Sequence, residues 1–243
     1  MFQNVWANPI ACSILQAILG SELVCHYANG MFCRQYSFPQ SLTLLCAITG
    51  NTALKATGRQ PVHSDINKPH PMFPFAMIIN ISLCDVTPEN GATEVWPGSH
   101  RDSCIDQHTS LDGDEAGLTI KPELVEERRK HSPPIQPSTK KGSLIIRDVR
   151  LWHAGRPNRT GTPRIMLAFV IQPKWFQAPS KVLLPMKIRE IVDRWKQEMG
   201  LEYNAQWVDG EVDHKKVKSD EVDFATANRK MLELEHLMHP PPP

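Results

Sequence analysis

In Gln60-Pro-Val-His63-Ser-Asp65 a histidine and an aspartate stand two residues apart. In a β-strand successive side chains alternate between faces, so His63 and Asp65 point the same way. An imidazole beside a carboxylate supplies two of the three ligands of a facial iron(II) site. The third must come from elsewhere in the chain, and His153 in Leu151-Trp-His-Ala-Gly155 is the candidate. Arg164 follows after a polar turn, on what reads as the returning strand. A guanidinium there can grip a carboxylate of a co-substrate held on the metal.

Short strands are expected around this run. Phe75–Leu83 and Arg164–Ile171 read as strong strands, and Gly142–Asp148, Leu151–Ala154 and Gly91–Trp96 as shorter ones. Leu42–Ile48 is a continuous apolar run of the same kind. Gly, Pro and Asn punctuate them, and no strand–helix–strand alternation is present. The expected class is mainly β, a double-stranded β-helix (jelly roll) with flanking helices.

Three helices are expected outside the roll. The first spans 8–24, opened by Asn8-Pro9 and stopped near Gly20, with Ile10, Ile14, Leu15, Ile18, Leu19 and Leu23 on one face. The second is Leu183–Met199, with Ile188, Ile191, Val192, Trp195 and Met199 on one face, and the third is Val222–Met238. Ser103–Lys141 mixes charges, Gly and Pro with little periodicity apart from a short helix over Pro122–Lys130. A stretch of that kind reads as a loop insertion beside the mouth of the site, a candidate lid. The expected domains are therefore a jelly-roll domain, 1–180, with its insertion at 103–141, and a helical extension, 181–243, packed on it. Burial against the roll is the ordinary use of the apolar helix faces; a homodimer contact is the alternative.

Composition narrows the partners. A 41% hydrophobic fraction is enough for a sizeable core, and 22% charged residues with a net charge of +1 leave no polyanion-binding signature. Neither a nucleic acid nor a membrane is expected as partner, because the basic residues are interspersed with acids and the apolar runs are short. The cysteines (Cys12, Cys25, Cys33, Cys46, Cys84, Cys104) form no CxxC pair or tight framework, which suits reduced thiols in a cytoplasmic protein.

Taken singly, each site residue has an ordinary explanation: His153 beside Trp152 as a hydrogen-bonded structural histidine, Asp65 as a turn or cap. The combination is more specific, and it resembles the phytanoyl-CoA dioxygenase-like branch of the iron(II)/2-oxoglutarate oxygenases, particularly fungal members that tailor secondary metabolites. The pieces that carry the resemblance are Gln60–Asp65, Thr87-Pro-Glu-Asn-Gly-Ala-Thr93, Val95-Trp-Pro-Gly-Ser-His100, and Trp152-His153 with Arg164. The resemblance implies that His63, Asp65 and His153 bind Fe(2+) and that Arg164 binds the far carboxylate of 2-oxoglutarate. It also implies that Gln60 and Thr93 contact the same co-substrate and that dioxygen is the oxidant. A small, largely apolar molecule is the implied substrate, oxidised by hydroxylation, desaturation or cyclisation. Halogenating relatives replace the carboxylate by a small residue, so Asp65 favours oxygenation.

Three alternatives remain open at this point: an acyl-CoA hydroxylase, a non-catalytic jelly-roll homologue with a vestigial metal site, and a hydrolase with zinc in the same site. The second is motivated by the 62 residues before His63, fewer than relatives carry. His100 is expected to brace its turn through hydrogen bonds. His70, His108 and His131 are expected in solvent. Trp96 and Trp152 either line the pocket or pack in the core.

Overall fold

The computed structural model describes residues 3–29, 52–101, 103–110, 116–176 and 178–210. The run 42–48 and the helix expected over 222–238 lie outside the described residues. Two compact units result: Met1–Ala28, Pro69–Ile79 and the chain from Phe169 onward form one, and Asn29–Lys68 with Asn80–Ala168 form the other.

The first unit opens with a short helix, α1 (Gln3–Trp6), and then α2 (Pro9–Leu19). Asn8 starts α2 by accepting hydrogen bonds from the amides of Ile10 and Ala11, Pro9 takes the first turn, and Gly20 ends it with φ +96°. The buried face is Ala11, Cys12, Leu15 and Leu19, whereas Ile10, Ile14 and Ile18 are exposed. The single wide face expected from the sequence is therefore two adjacent stripes, of which one meets the core. The stripe with Ala11 and Cys12 lets the helix approach its neighbours closely.

Strands β1 (Leu23–Asn29), β2 (Thr52–Ala53) and β3 (Met77–Ser82) follow, then β4 (Glu94–Val95), β5 (His108–Ser110) and β6 (Ala116–Ile120). Helix α3 (Pro122–His131) leads to β7 (Leu144–Asp148), β8 (His153–Ala154), β9 (Arg164–Pro173) and β10 (Val182–Pro185). Helix α4 (Arg189–Met199) precedes β11 (Leu201–Tyr203) and β12 (Ala205–Val208). Strand β1 lies between β11 and β9 in the first unit, and β3 lies between β9 and β7, with β2 also paired to β9, in the second. In the first unit β1 runs parallel to β11, placing Cys25 opposite Tyr203, and β10 runs parallel to β12. Trp195 of α4 packs near the Tyr203 ring, with centroids 5.9 Å apart.

The helix expected at Leu183–Met199 begins only at Arg189, because Val182–Pro185 is strand and Met186–Ile188 a 3-10 turn. Pro185 has no amide hydrogen and crowds the preceding residue out of helical geometry. Val192 and Trp195 are the buried residues of α4, and Ile191 is exposed.

Among the described residues the second unit holds two main sheets, with the pair β5–β6 joined to the second of them through Thr119. One is formed by β7, β3, the first half of β9 and β2. The other is a ladder of short antiparallel bridges, in the order Thr119, His63, His153, Val95, Ile135. His63 and His153 exchange both backbone hydrogen bonds, at 2.9 and 2.8 Å. This double-sheet arrangement is the expected jelly roll, mainly β with flanking helices. The stretch 103–141 carries far more regular structure than its sequence suggested. Thr119 and Ile135 are rungs of the site ladder, and Val125 of α3 joins a buried cluster with Val62, Trp96, Ile120, Trp152 and Ala154. Strand alternation explains that cluster: Val62, Trp152 and Ala154 flank the two histidines in sequence and so face the opposite side. Trp96 and Trp152 are therefore core residues.

Candidate metal centre

The second unit brings His63, Asp65 and His153 together, with one potential ligand atom from each lying within 4.8 Å of the others. His63 and His153 face each other across their shared rung, ring centroids 4.2 Å apart. Asp65 is the next same-face residue along the chain, anchored by its amide to the Val149 carbonyl at 3.1 Å. Its Oδ2 lies 3.5 Å from His153 Nε2.

Both imidazoles are held the same way. His63 Nδ1 lies 2.9 Å from the Pro61 carbonyl, and His153 Nδ1 lies 2.9 Å from the Leu151 carbonyl. A carbonyl can only accept, so each Nδ1 carries the hydrogen and each Nε2 keeps its lone pair. Backbone carbonyls are common outer partners of metal-binding histidines because they set this tautomer and the ring orientation. The donor set thus fits a divalent metal: two neutral imidazole nitrogens and one carboxylate.

Electrostatics maintain these protonation states. Burial depresses the His153 pKa to about 3, with the Arg147 charge adding to the effect, and burial also lowers that of His63. For Asp65 burial acts upward, but the Arg147 guanidinium, followed by the two histidines, outweighs it and holds the carboxyl well below the usual range. Histidines with folded pKa values below the unfolded value of about 6.5 give stability that is complete above that pH and is lost as pH falls towards the folded values. The lowered Asp65 pKa acts in the same direction, below about pH 4. The metal-free protein is therefore expected to show a urea midpoint that declines from pH 7 to pH 4.5. A His63→Gln/His153→Gln variant should decline less steeply; equal slopes would contradict the assignment.

The other candidate residues lie in the same unit, Arg164 and Gln60 buried and Thr93 half-buried. Arg164 opens β9, is 2% exposed, and has its pKa lowered to about 10 by burial. It therefore remains a cation at neutral pH. Gln60 is buried, and its Oε1 accepts from the Gly155 amide at 2.7 Å, tying the two ligand-bearing segments together. A Cβ at Gly155 would lie 2.5 Å from that oxygen, so any larger residue here would displace the Gln60 amide. Thr93 is half-buried, one residue before β4.

Some expectations need correction. His108 is 3% exposed, and its Nε2 meets Ser64 Oγ at 2.8 Å, bracing the outer side of the His63–Asp65 turn. His70 is half-buried with Nδ1 at the Pro71 carbonyl, while His131 is exposed as expected. In the Pro97–His100 turn Ser99 forms the tie, accepting from the Trp152 amide at 2.8 Å, and His100 Nδ1 is buried without a hydrogen bond. Sequence reading also passed over Arg147, whose Nη1 lies 2.6 Å from Asp65 Oδ2. The available signal was an arginine inside the apolar run Leu144-Ile-Ile-Arg-Asp. A charge there, if it faces inward, demands a counter-charge.

A jelly roll that brings two histidines and one carboxylate together has the fold and the donor set of the facial-triad class of double-stranded β-helix proteins. Within that class the chain belongs to the Phytanoyl-CoA dioxygenase (PhyH) family, whose profile matches residues 1–166. It is 34% identical over 97 residues to the ectoine dioxygenase of Sphingopyxis alaskensis, a match covering 37% of this chain and 31% of that protein. Among solved structures it resembles EctD from S. alaskensis in its apoform, at 21% identity and a TM-score of 0.48, over 67% of this chain and 49% of that one. It also resembles the non-heme alpha ketoglutarate dependent epimerase SnoN from nogalamycin biosynthesis, at 18% identity and a TM-score of 0.49, over 73% of this chain and 59% of that one. The chain thus spans less than two thirds of the length of each of these relatives. Among the described residues no helix is long and apolar enough to cross a membrane.

Proposed function

We propose that this protein is an iron(II)/2-oxoglutarate-dependent dioxygenase acting on a small, largely apolar metabolite. The observation that carries the reading is the paired fixing of His63 and His153 through Nδ1, with both Nε2 atoms beside the Asp65 carboxylate. These three residues would hold the iron on one face, leaving its other positions for a 2-oxo acid and dioxygen. The bound metal with its co-substrates supplies the oxidising power for a substrate C–H bond. The protein's own tasks are to keep the ligand tautomers, exclude water and place both substrates.

In this reading Arg164 binds the far carboxylate of 2-oxoglutarate, Thr93 contacts the same molecule, and Gln60 does so while bracing Gly155. Membership of the PhyH family and the 2-oxoglutarate complex of EctD from S. alaskensis with 5-hydroxyectoine support the co-substrate. The narrower placing among fungal enzymes that tailor secondary metabolites is supported by the sequence motifs, and a cytoplasmic location by cysteines that form no tight framework.

Succinate formed from 2-oxoglutarate with iron and ascorbate tests the activity. No turnover, coupled or uncoupled, would favour a non-catalytic homologue. A weak visible charge-transfer band on anaerobic addition of iron(II) and 2-oxoglutarate separates an iron site from a zinc hydrolase, which would show none.

Arg164→Ala is expected to raise the 2-oxoglutarate requirement by at least about tenfold, since truncating one partner of a buried charge pair costs roughly 2–5 kcal/mol. Metal binding should survive. Arg156→Ala should change that requirement little, because Arg156 pairs with Glu94 at 3.2 Å; the Arg159 amide donates to the Glu89 carbonyl, so Arg159→Ala should be equally mild. Loss of the co-substrate in either of these variants, with Arg164→Ala unaffected, would overturn the assignment.

A further inference from the structure

Arg147 departs from a plain three-ligand site. It is carried by β7, in the sheet opposite the ligand ladder, and its side chain is 11% exposed. Its Nε donates to Asn80 Oδ1 at 3.2 Å, which aims the guanidinium across the roll. Its Nη1 then meets Oδ2 of Asp65, the oxygen that also lies nearest His153 Nε2. The contact is short but is not aligned as a hydrogen bond, so it acts chiefly through charge. The neighbouring cation, Arg150, is engaged elsewhere, pairing with Asp148 at 2.8 Å.

Building on the metal-site reading above, we propose that Arg147 is a charge gate on the centre, weakening binding of a divalent metal alone and strengthening binding of a dianionic 2-oxo acid to the metal-loaded site. The argument is one of increments. A divalent ion joining Asp65 arrives against one additional positive charge in a poorly solvated setting, where Coulomb terms are weakly screened. The dianion that follows arrives towards that same charge. The two increments oppose each other, so Arg147 disfavours the metal alone relative to the complex of metal and dianion. A redox-active metal without its co-substrate is disfavoured as a result.

The gate is tested by titrating Mn(II), as a probe for iron(II), against wild type, Arg147→Leu and Arg147→Lys, and reading free Mn(II) by electron paramagnetic resonance. 2-Oxoglutarate is then titrated into each Mn(II)-loaded protein. Arg147→Leu should bind Mn(II) alone about tenfold more tightly and 2-oxoglutarate about tenfold more weakly, because a unit charge this close exceeds the increment for one decade. Arg147→Lys should keep both affinities near wild type. Weakening of both ligands in Arg147→Leu would mean that Arg147 merely braces Asp65, and no change in either would mean that its charge is immaterial; both overturn the proposal. Arg147→Gln carries the same expectation and replaces the leucine variant if that fails to fold. A folded wild type that binds no Mn(II) would instead defeat the metal-site reading itself, and the gate with it.

Discussion

Asp65→Ala is expected to abolish divalent-metal binding and to destabilise the fold in the same stroke. The metal loses its anionic ligand, and two neutral imidazoles do not hold a hard divalent ion well. The stability loss has a separate origin: Arg147 is left in the roll without its counter-charge. Removing one partner of a buried pair costs about 3–5 kcal/mol, and the lower end applies here because the two side chains keep 11% and 19% exposure. The two effects separate in the double variant Asp65→Ala/Arg147→Leu, which should regain most of the stability and none of the metal binding. Urea unfolding and a Mn(II) titration on the three proteins measure both. A double variant no more stable than Asp65→Ala would show that the pair does not contribute as described.

Trp96→Ala should produce the largest loss among the packing residues. Trp96 is fully buried beneath α3, within the cluster that backs the ligand-bearing rungs. Its Nε1 donates to Glu94 Oε1 at 3.1 Å, and the Arg129 guanidinium lies 4.8 Å from its ring centroid. Truncating a buried tryptophan costs about 3–5 kcal/mol, and here it also removes one hydrogen bond to Glu94, which keeps its ion pair with Arg156. The measured quantity is the urea midpoint in metal-free protein. Because Trp96 faces away from the histidines, any protein that remains folded should keep the wild-type Mn(II) affinity. Lost metal affinity in folded protein would place Trp96 in the site and refute the core assignment.

The grouping of the three candidate ligands was legible because its signal is local. His-x-Asp in an extended run puts both side chains on one face whatever the rest of the chain does, and His153 and Arg164 sit in short motifs with characteristic neighbours. The apolar strands were legible for the same reason, with boundaries shifted by a few residues. The predicted Phe75–Leu83 became Met77–Ser82, and Arg164–Ile171 became Arg164–Pro173. Where the reading failed, the deciding contact came from far along the chain. Thr119 and Ile135 carry no strong periodicity, yet each pairs with a rung of the site ladder far earlier in the chain, His63 and Val95.

Sequence by itself therefore determined the class of fold, the three candidate ligands, the candidate anion-binding arginine, and the start and end of α2 through Asn8, Pro9 and Gly20. Tertiary structure decided which stripe of α2 is buried, that His108 is an internal brace, that Trp96 and Trp152 form the core behind the site, and that Arg147 meets Asp65. The division has one physical cause. Alternation, capping and proline geometry act over a few residues, whereas the partner of a buried charge or an apolar face is chosen by which elements the fold brings into contact.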